Sequence, residues 1–310
     1  MEKLTDKLVN IRQYAEQIVQ KSDRVAIDDD VLTQFAGELD GTQARLIQNP
    51  ITHAVVLSFA QKVGLTLLFG AVNYCYVDPE SGRDYQYSIN GMTSARSTAF
   101  LQALIQSGLR WDDMGAIAAI PLADWQVILH LNDPDVVLYD AEERTVRLAT
   151  FARYLAKVIG EPTRFFETFP NAQSVYYLLI NSGMFKDEYL KRLQVVLVWL
   201  EDLARQNDIP FDGASKSLTA MADYRLPQVL MNERIIVLRS QDFELLSEQL
   251  TDLELERDIR AATIIVCERL ARMTGVTEVE IDKLLWQKSQ QLISDGLLVA
   301  PAMRVATRCY

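Results

Sequence analysis

The chain has 310 residues, 49% of them apolar and 24% charged. That is enough to bury a full hydrophobic core in one large domain or two closely packed lobes, and it excludes a small disulfide-stapled scaffold. The net charge of -11 opposes non-specific attachment to a polyanion, because phosphate binding draws affinity from Lys and Arg that displace counterions. Genomic DNA and intact tRNA are therefore poor candidate substrates, although a local basic pocket for one phosphate stays compatible with the charge.

Along the chain, Leu4, Leu8, Ile11, Ala15, Ile18 and Val19 recur at three- and four-residue steps and predict an amphipathic first helix. Its charges run throughout, unlike an export signal. The interval 72–92 differs. Val72-Asn-Tyr-Cys-Tyr-Val77, a turn at 78–82, and the alternating Tyr85-Gln-Tyr-Ser-Ile89 before Asn90-Gly91 predict a small β-ribbon of two short strands. Helical periodicity returns over 174–180, 189–204, 259–273 and 279–293, so the chain reads as mainly α. The most apolar stretch, 195–200, is too short to cross a bilayer and reads as a buried helix turn. Loops are expected near 132–135 and 207–213, neither of them a domain linker, and no repeat is visible.

Punctuation is sharpest in the last third. Gly275 ends one predicted helix, and Thr277-Glu-Val-Glu280 is a capping box that starts the next, placing Asp282, Trp286 and Gln287 on its opening turns. Upstream, 217–222 runs into Asp223-Tyr-Arg-Leu-Pro227. Proline disfavours helix just before it yet suits a first helical turn, so Asp223 is expected at a break between two helices. Backbone amides at such breaks are free to bind anions. Cys75, Cys267 and Cys309 are odd in number and form no CxxC pair, which fits a reducing cytosol and a cytoplasmic protein. With only His53 and His130, neither a structural zinc site nor HExxH can be built.

Several strings together carry a resemblance. Ala222-Asp-Tyr-Arg-Leu-Pro-Gln-Val-Leu230 is very similar to the ADYR[VL]PQ-x-L segment of queuosine salvage proteins. Tyr189-Leu-Lys-Arg-Leu-Gln-Val195 resembles that family's YKRAQ-containing helix. Asp258-Ile-Arg-Ala-Ala-Thr263 resembles its EIR-x-x-S helix, with Glu268 where that helix carries a further glutamate. Asp282-Lys-Leu-Leu-Trp286 resembles its late D-x-x-L-W, Arg304 and Tyr310 its tail, and Asn73-Tyr-Cys-Tyr76 its N-F-x-F strand. The order is kept from roughly residue 10 to the last residue.

The resemblance implies a mainly helical fold similar to helical DNA glycosylases, without DNA as substrate. It implies a cofactor-free hydrolase that cleaves the N-glycosidic bond of queuosine 5′-phosphate, or of the nucleoside, to release queuine for tRNA modification. The partner is then a small nucleotide, with no direct DNA binding and no membrane. Cleavage builds oxocarbenium-like charge on the sugar, which a carboxylate beneath the ring stabilises or traps; Asp223 takes that part. Asp282 holds the base, whose side-arm amine is cationic. Met221, Ala222, Tyr224, Ile281, Trp286, Gln287, Lys21 and Arg304 complete the expected substrate contacts.

Without the resemblance, Asp223 is a loop aspartate that caps a helix or pairs with Arg225, and Asp282 is an acid favoured by the helix dipole. Trp286 reads as core or pocket wall, Arg192, Arg260 and Glu268 as structural ion pairs, and both histidines as structural. Family positions also change here. Met221 stands for an aromatic residue, Gln287 for an acid, Lys21 and Met303 for histidines, Val77 for a tryptophan, and Ser94-Ala-Arg-Ser-Thr98 for an aromatic GYWSL segment. These changes leave open a hydrolase of another modified nucleoside, a deazapurine-binding relative that does not cleave, and a helical scaffold without a small ligand.

Overall fold

Apolar residues at positions 4, 8, 11 and 15 line the buried side of the first helix in the computed structural model, as their spacing requires. The structure describes residues 2–43, 47–75, 86–89, 92–95, 97–129, 138–160, 162–248, 250–305 and 307, with the backbone alone for 86–89, 92–95, 247 and 248. In chain order the elements are α1 (Leu4–Lys21), β1 (Val25–Ile27), α2 (Asp29–Glu38), α3 (Phe59–Val72), β2 (Gln86–Ile89), β3 (Met92–Ala95) and α4 (Ser97–Gln106). Then come α5 (Met114–Ala118), α6 (Leu122–Ile128), α7 (Ala141–Val158), α8 (Phe165–Thr168), α9 (Ala172–Asn181) and α10 (Lys191–Gln206). The remainder is α11 (Arg225–Asn232), β4 (Ile236–Leu238), α12 (Ser240–Glu248), α13 (Leu253–Thr274) and α14 (Glu278–Ser294). The fold is mainly α.

The chain divides into two compact units. The first comprises Met1–Ile47, Glu188–Gln194 and Ala214–Val305. Its centre is α13, which starts at Asp252, whose side chain accepts from Glu254 N and Leu255 N, and stops at Gly275 in the left-handed region, φ 73°. Every residue from 258 to 267 is buried, so this helix is wrapped on all sides. Helices α1, α11 and α14 pack on it, as does β1, which pairs antiparallel with β4 through Val25↔Leu238 and Ile27↔Ile236. Leu226, Val229, Leu230, Ile259, Val266, Ile281 and Leu285 form part of the core, each worth roughly 1.5–3 kcal/mol when fully buried. The expected capping box opens α14: Thr277 N donates to Glu280 Oε2 (2.8 Å) and Glu280 N to Thr277 Oγ1 (3.3 Å).

The second unit comprises Gln48–Asp187, Val195–Gly213 and Ala306–Tyr310. Its buried axis is α3, opened by a capping box of Ser58 and Gln61 and buried continuously from Val63 to Val72. Gly64 lies so close to the Trp111 carbonyl that a Cβ there would stand 1.9 Å from its oxygen. The Arg144 guanidinium is wholly buried. It donates to the carbonyls of Val72, Tyr74 (2.6 Å), Cys75 (2.6 Å) and Tyr139 (2.8 Å), and so closes the end of α3 with a cation where the helix dipole favours one.

Three expectations change. The ribbon is present, but it pairs β2 with β3 from Gln86↔Ala95 to Ile89↔Met92. Val72 instead ends α3, and Asn73–Cys75 are not strand, because the apolar run from Val63 onward continues the helix. Residues 217–222 are not helical, so Asp223 joins an irregular segment to α11 instead of joining two helices. Helix α10 starts at Lys191, two residues late, since Leu190 is left-handed (φ 55°). Position 195–200 is helical and largely buried, as expected. Among the described residues no helix is long and apolar enough to cross a membrane. Residues 76–85, Asn90, Gly91, Arg96, His130, 132–135, Cys309 and Tyr310 lie outside the described residues; His53 is exposed.

Candidate functional site

A segment outside helix and sheet leaves most of its backbone groups to be met by others, so its course depends on what meets them. Ahead of Asp223, side chains do so. Gln194 Oε1 accepts from Thr219 N (2.9 Å), and Gln194 Nε2 donates to Thr219 Oγ1 (2.8 Å). Glu278 Oε2 accepts from Ala220 N (3.2 Å), Asp282 Oδ2 accepts from Met221 N (2.8 Å), and Arg260 Nε donates to Ala222 O (2.9 Å). The segment thus delivers Asp223 to the start of α11. There Asp223 Oδ1 accepts from Arg225 N (2.7 Å), the Asx geometry open to an aspartate at a helix entrance. Asp223 Oδ2 lies 3.5 Å from Lys191 Nζ, and the carboxylate side chain remains 20% exposed.

Asp282 sits one turn into α14 and is buried. Burial, and next the negative charge of Asp223, push its carboxyl up to about 7, while the Met221 N–H and the Lys191 charge pull the other way. Glu278, four residues earlier on the same face, is also raised by burial, against the opposing pull of Arg12. Beside them Cys267 is buried and held protonated by desolvation and by the charges of Asp282 and Glu278. The Lys283 ammonium is lowered by burial and lies 4.5 Å from the centroid of the Trp286 ring. One carboxylate that borders solvent and one buried, near-neutral carboxyl are therefore coupled by charge, an arrangement that can stabilise a cation with one group and donate a proton with the other.

Of the expected contacts, Met221, Ala222, Asp223, Tyr224, Ile281 and Asp282 lie along these two segments. Met221, Ala222 and Ile281 are buried, and Tyr224 is half-buried ahead of α11. Trp286 is 44% exposed, which excludes the core alternative of its core-or-pocket-wall reading: it flanks the buried stripe of α14 instead of lying within it. Gln287 is exposed beside it. Lys21, exposed at the end of α1, lines a cavity of about 330 Å³ with Tyr14, Arg24, Arg257 and Asp258. Arg304 is half-buried and its backbone exchanges hydrogen bonds with Thr251 (2.9 and 3.1 Å). Arg260 pairs with Glu256 (3.0 Å) and Glu268 with Arg272 (2.9 Å), the structural ion pairs expected of them.

Sequence reasoning gave no role to Lys191, although it lies within the string Tyr189-Leu-Lys-Arg-Leu-Gln194, nor to Glu278. The signal for Glu278 was its i, i+4 spacing to Asp282 on a helix whose register the capping box sets.

No curated protein matches the sequence. Residues 181–310 match the sequence model of the family described as queuosine salvage protein. That span holds Lys191, Gln194, 217–223, α13 and α14, and it leaves Lys21 and the ribbon outside. Over residues 181–310 the chain is therefore similar to the queuosine salvage protein family.

Proposed function

We propose that this chain is an N-glycosidase that hydrolyses queuosine 5′-phosphate, or the nucleoside, to queuine and the ribose product. The family match supports a role in queuosine salvage. The observation that carries the chemistry is the acid pair: Asp223, bordering solvent with Lys191 at 3.5 Å, and Asp282, whose carboxyl is pushed up to about 7 by burial and next by the charge of Asp223.

In this reading the bond from the sugar's anomeric carbon to the base nitrogen breaks with its electron pair leaving on the base. Positive charge grows on the ribose and is met by the Asp223 carboxylate, as in O-glycoside hydrolysis. Asp282, protonated below about pH 7, donates a hydrogen bond or proton to the departing base. Water adds to the sugar carbon and loses a proton to solvent. A proton returned from solvent restores Asp282, which balances the step.

Chromatographic detection of free queuine from queuosine 5′-phosphate tests the proposal. Asp223→Ala is expected to reduce release by ~100- to 1000-fold, the usual cost of removing a positioned electrostatic group. Release by the variant at the wild-type rate, or none by the wild type, removes the reading. A second reading, cleavage of a different modified nucleoside, draws on Gln287 standing exposed where the family carries an acid. Turnover of another nucleoside in a panel, with queuosine untouched, selects it.

A further inference from the structure

The segment that carries Asp223 has an anchor that neither the motif nor the acid pair includes. Arg12, on α1, donates through Nε (2.9 Å) and Nη2 (2.7 Å) to Glu278 Oε1. The same Nη2 donates to the carbonyls of Ser217 (3.0 Å) and Leu218 (3.3 Å), while the other carboxylate oxygen, Oε2, takes Ala220 N. With Gln194 on Thr219, Asp282 on Met221 and Arg260 on Ala222, every residue from 217 to 222 has a backbone group held by a side chain.

We propose that Arg12 and Glu278 are positioning residues for the acid chemistry: together they clamp residues 217–220 and so set where Asp223 stands. The inference rests on the glycosidase reading and adds residues that touch no reacting atom. Its physical basis is geometric. Arg12 is the one member that comes from the far end of the chain, from a helix that packs along α13, the helix supplying Arg260. A planar fork can hold a carboxylate and two carbonyls at fixed angles, which a lysine ammonium cannot reproduce. Glu278 is buried and uses each oxygen for a different partner. An amide in its place has one acceptor oxygen and must release either Arg12 or Ala220 N–H. Displacement of a catalytic group by about 1 Å costs on the order of 100-fold in rate without touching substrate contacts.

The test uses Arg12→Lys and Glu278→Gln in the full chain, with Arg269→Ala as control, which breaks the surface ion pair of α13 with Asp29. Steady-state kinetics on queuosine 5′-phosphate and amide hydrogen exchange are measured on each. We expect kcat to fall ~10- to 100-fold in both clamp variants with KM unchanged, the control to keep its kcat, and exchange to quicken across 217–223 alone. A kcat within about twofold of wild type in both, a rise in KM alone, or exchange quickened equally through the chain overturns the clamp. An inactive wild type removes the glycosidase reading by itself. In that case quickened exchange confined to 217–223 still upholds the clamp on this segment, and unchanged exchange refutes it.

Discussion

At the scale of single residues, a buried carboxyl that holds its proton to about pH 7 is a statement about stability as well as chemistry. The unfolded chain releases that proton near 3.8, so between about pH 4 and pH 7 the native state binds more protons than the unfolded state. Stability contributed by neutral Asp282 is then present below that window and lost as pH rises through it. Asp282→Asn keeps an acceptor for Met221 N–H and removes the ionisation. Urea denaturation from pH 5 to pH 8 is expected to show wild-type stability falling by roughly 1–4 kcal/mol and a flatter profile in the variant. Glu278, shifted in the same direction, leaves some slope behind. Equal slopes in the two proteins refute the assignment. In turnover, the same protonation predicts that kcat declines above about pH 7 and that the variant lacks this limb.

At the scale of elements, α3 shows how a helix can be dictated by packing. Alanine for an exposed or loosely packed helical glycine normally stabilises by about 1 kcal/mol. At Gly64 the sign should reverse, because the added Cβ would stand 1.9 Å from the Trp111 carbonyl oxygen, a backbone atom that cannot swing aside. Gly64→Ala is therefore expected to destabilise by roughly 1–3 kcal/mol, measured by chemical denaturation; a gain in stability contradicts this packing. The same approach explains why no helix was read there. With Val63 to Val72 buried on every side, the stretch has no polar face and hence no 3.6-residue alternation to detect.

At the scale of the whole molecule, the net charge of -11 sets what the protein attracts. A long polyanion is repelled by the field of the entire chain, whereas a small anion can be met by local groups. Fluorescence anisotropy at physiological ionic strength is expected to show no binding of unmodified tRNA or duplex DNA. Micromolar affinity for either shows that a local basic surface overrides the net charge.

What the sequence by itself determined is whatever is encoded locally: the amphipathic spacing of α1, the stop at Gly275, the capping box of α14 and the proline that admits α11 just after Asp223. Each depends on residues within one or two turns, so each was legible. The tertiary structure alone decided the rest. It left 217–222 non-helical, exposed Trp286, ended α3 at Val72, the first residue of a stretch read as strand, and brought Arg12, Lys191, Arg260 and Glu278 to the approach of Asp223. Those outcomes follow from partners as much as 266 positions apart in the chain, and from burial that raises one acid beside another. Local spacing carries no record of either.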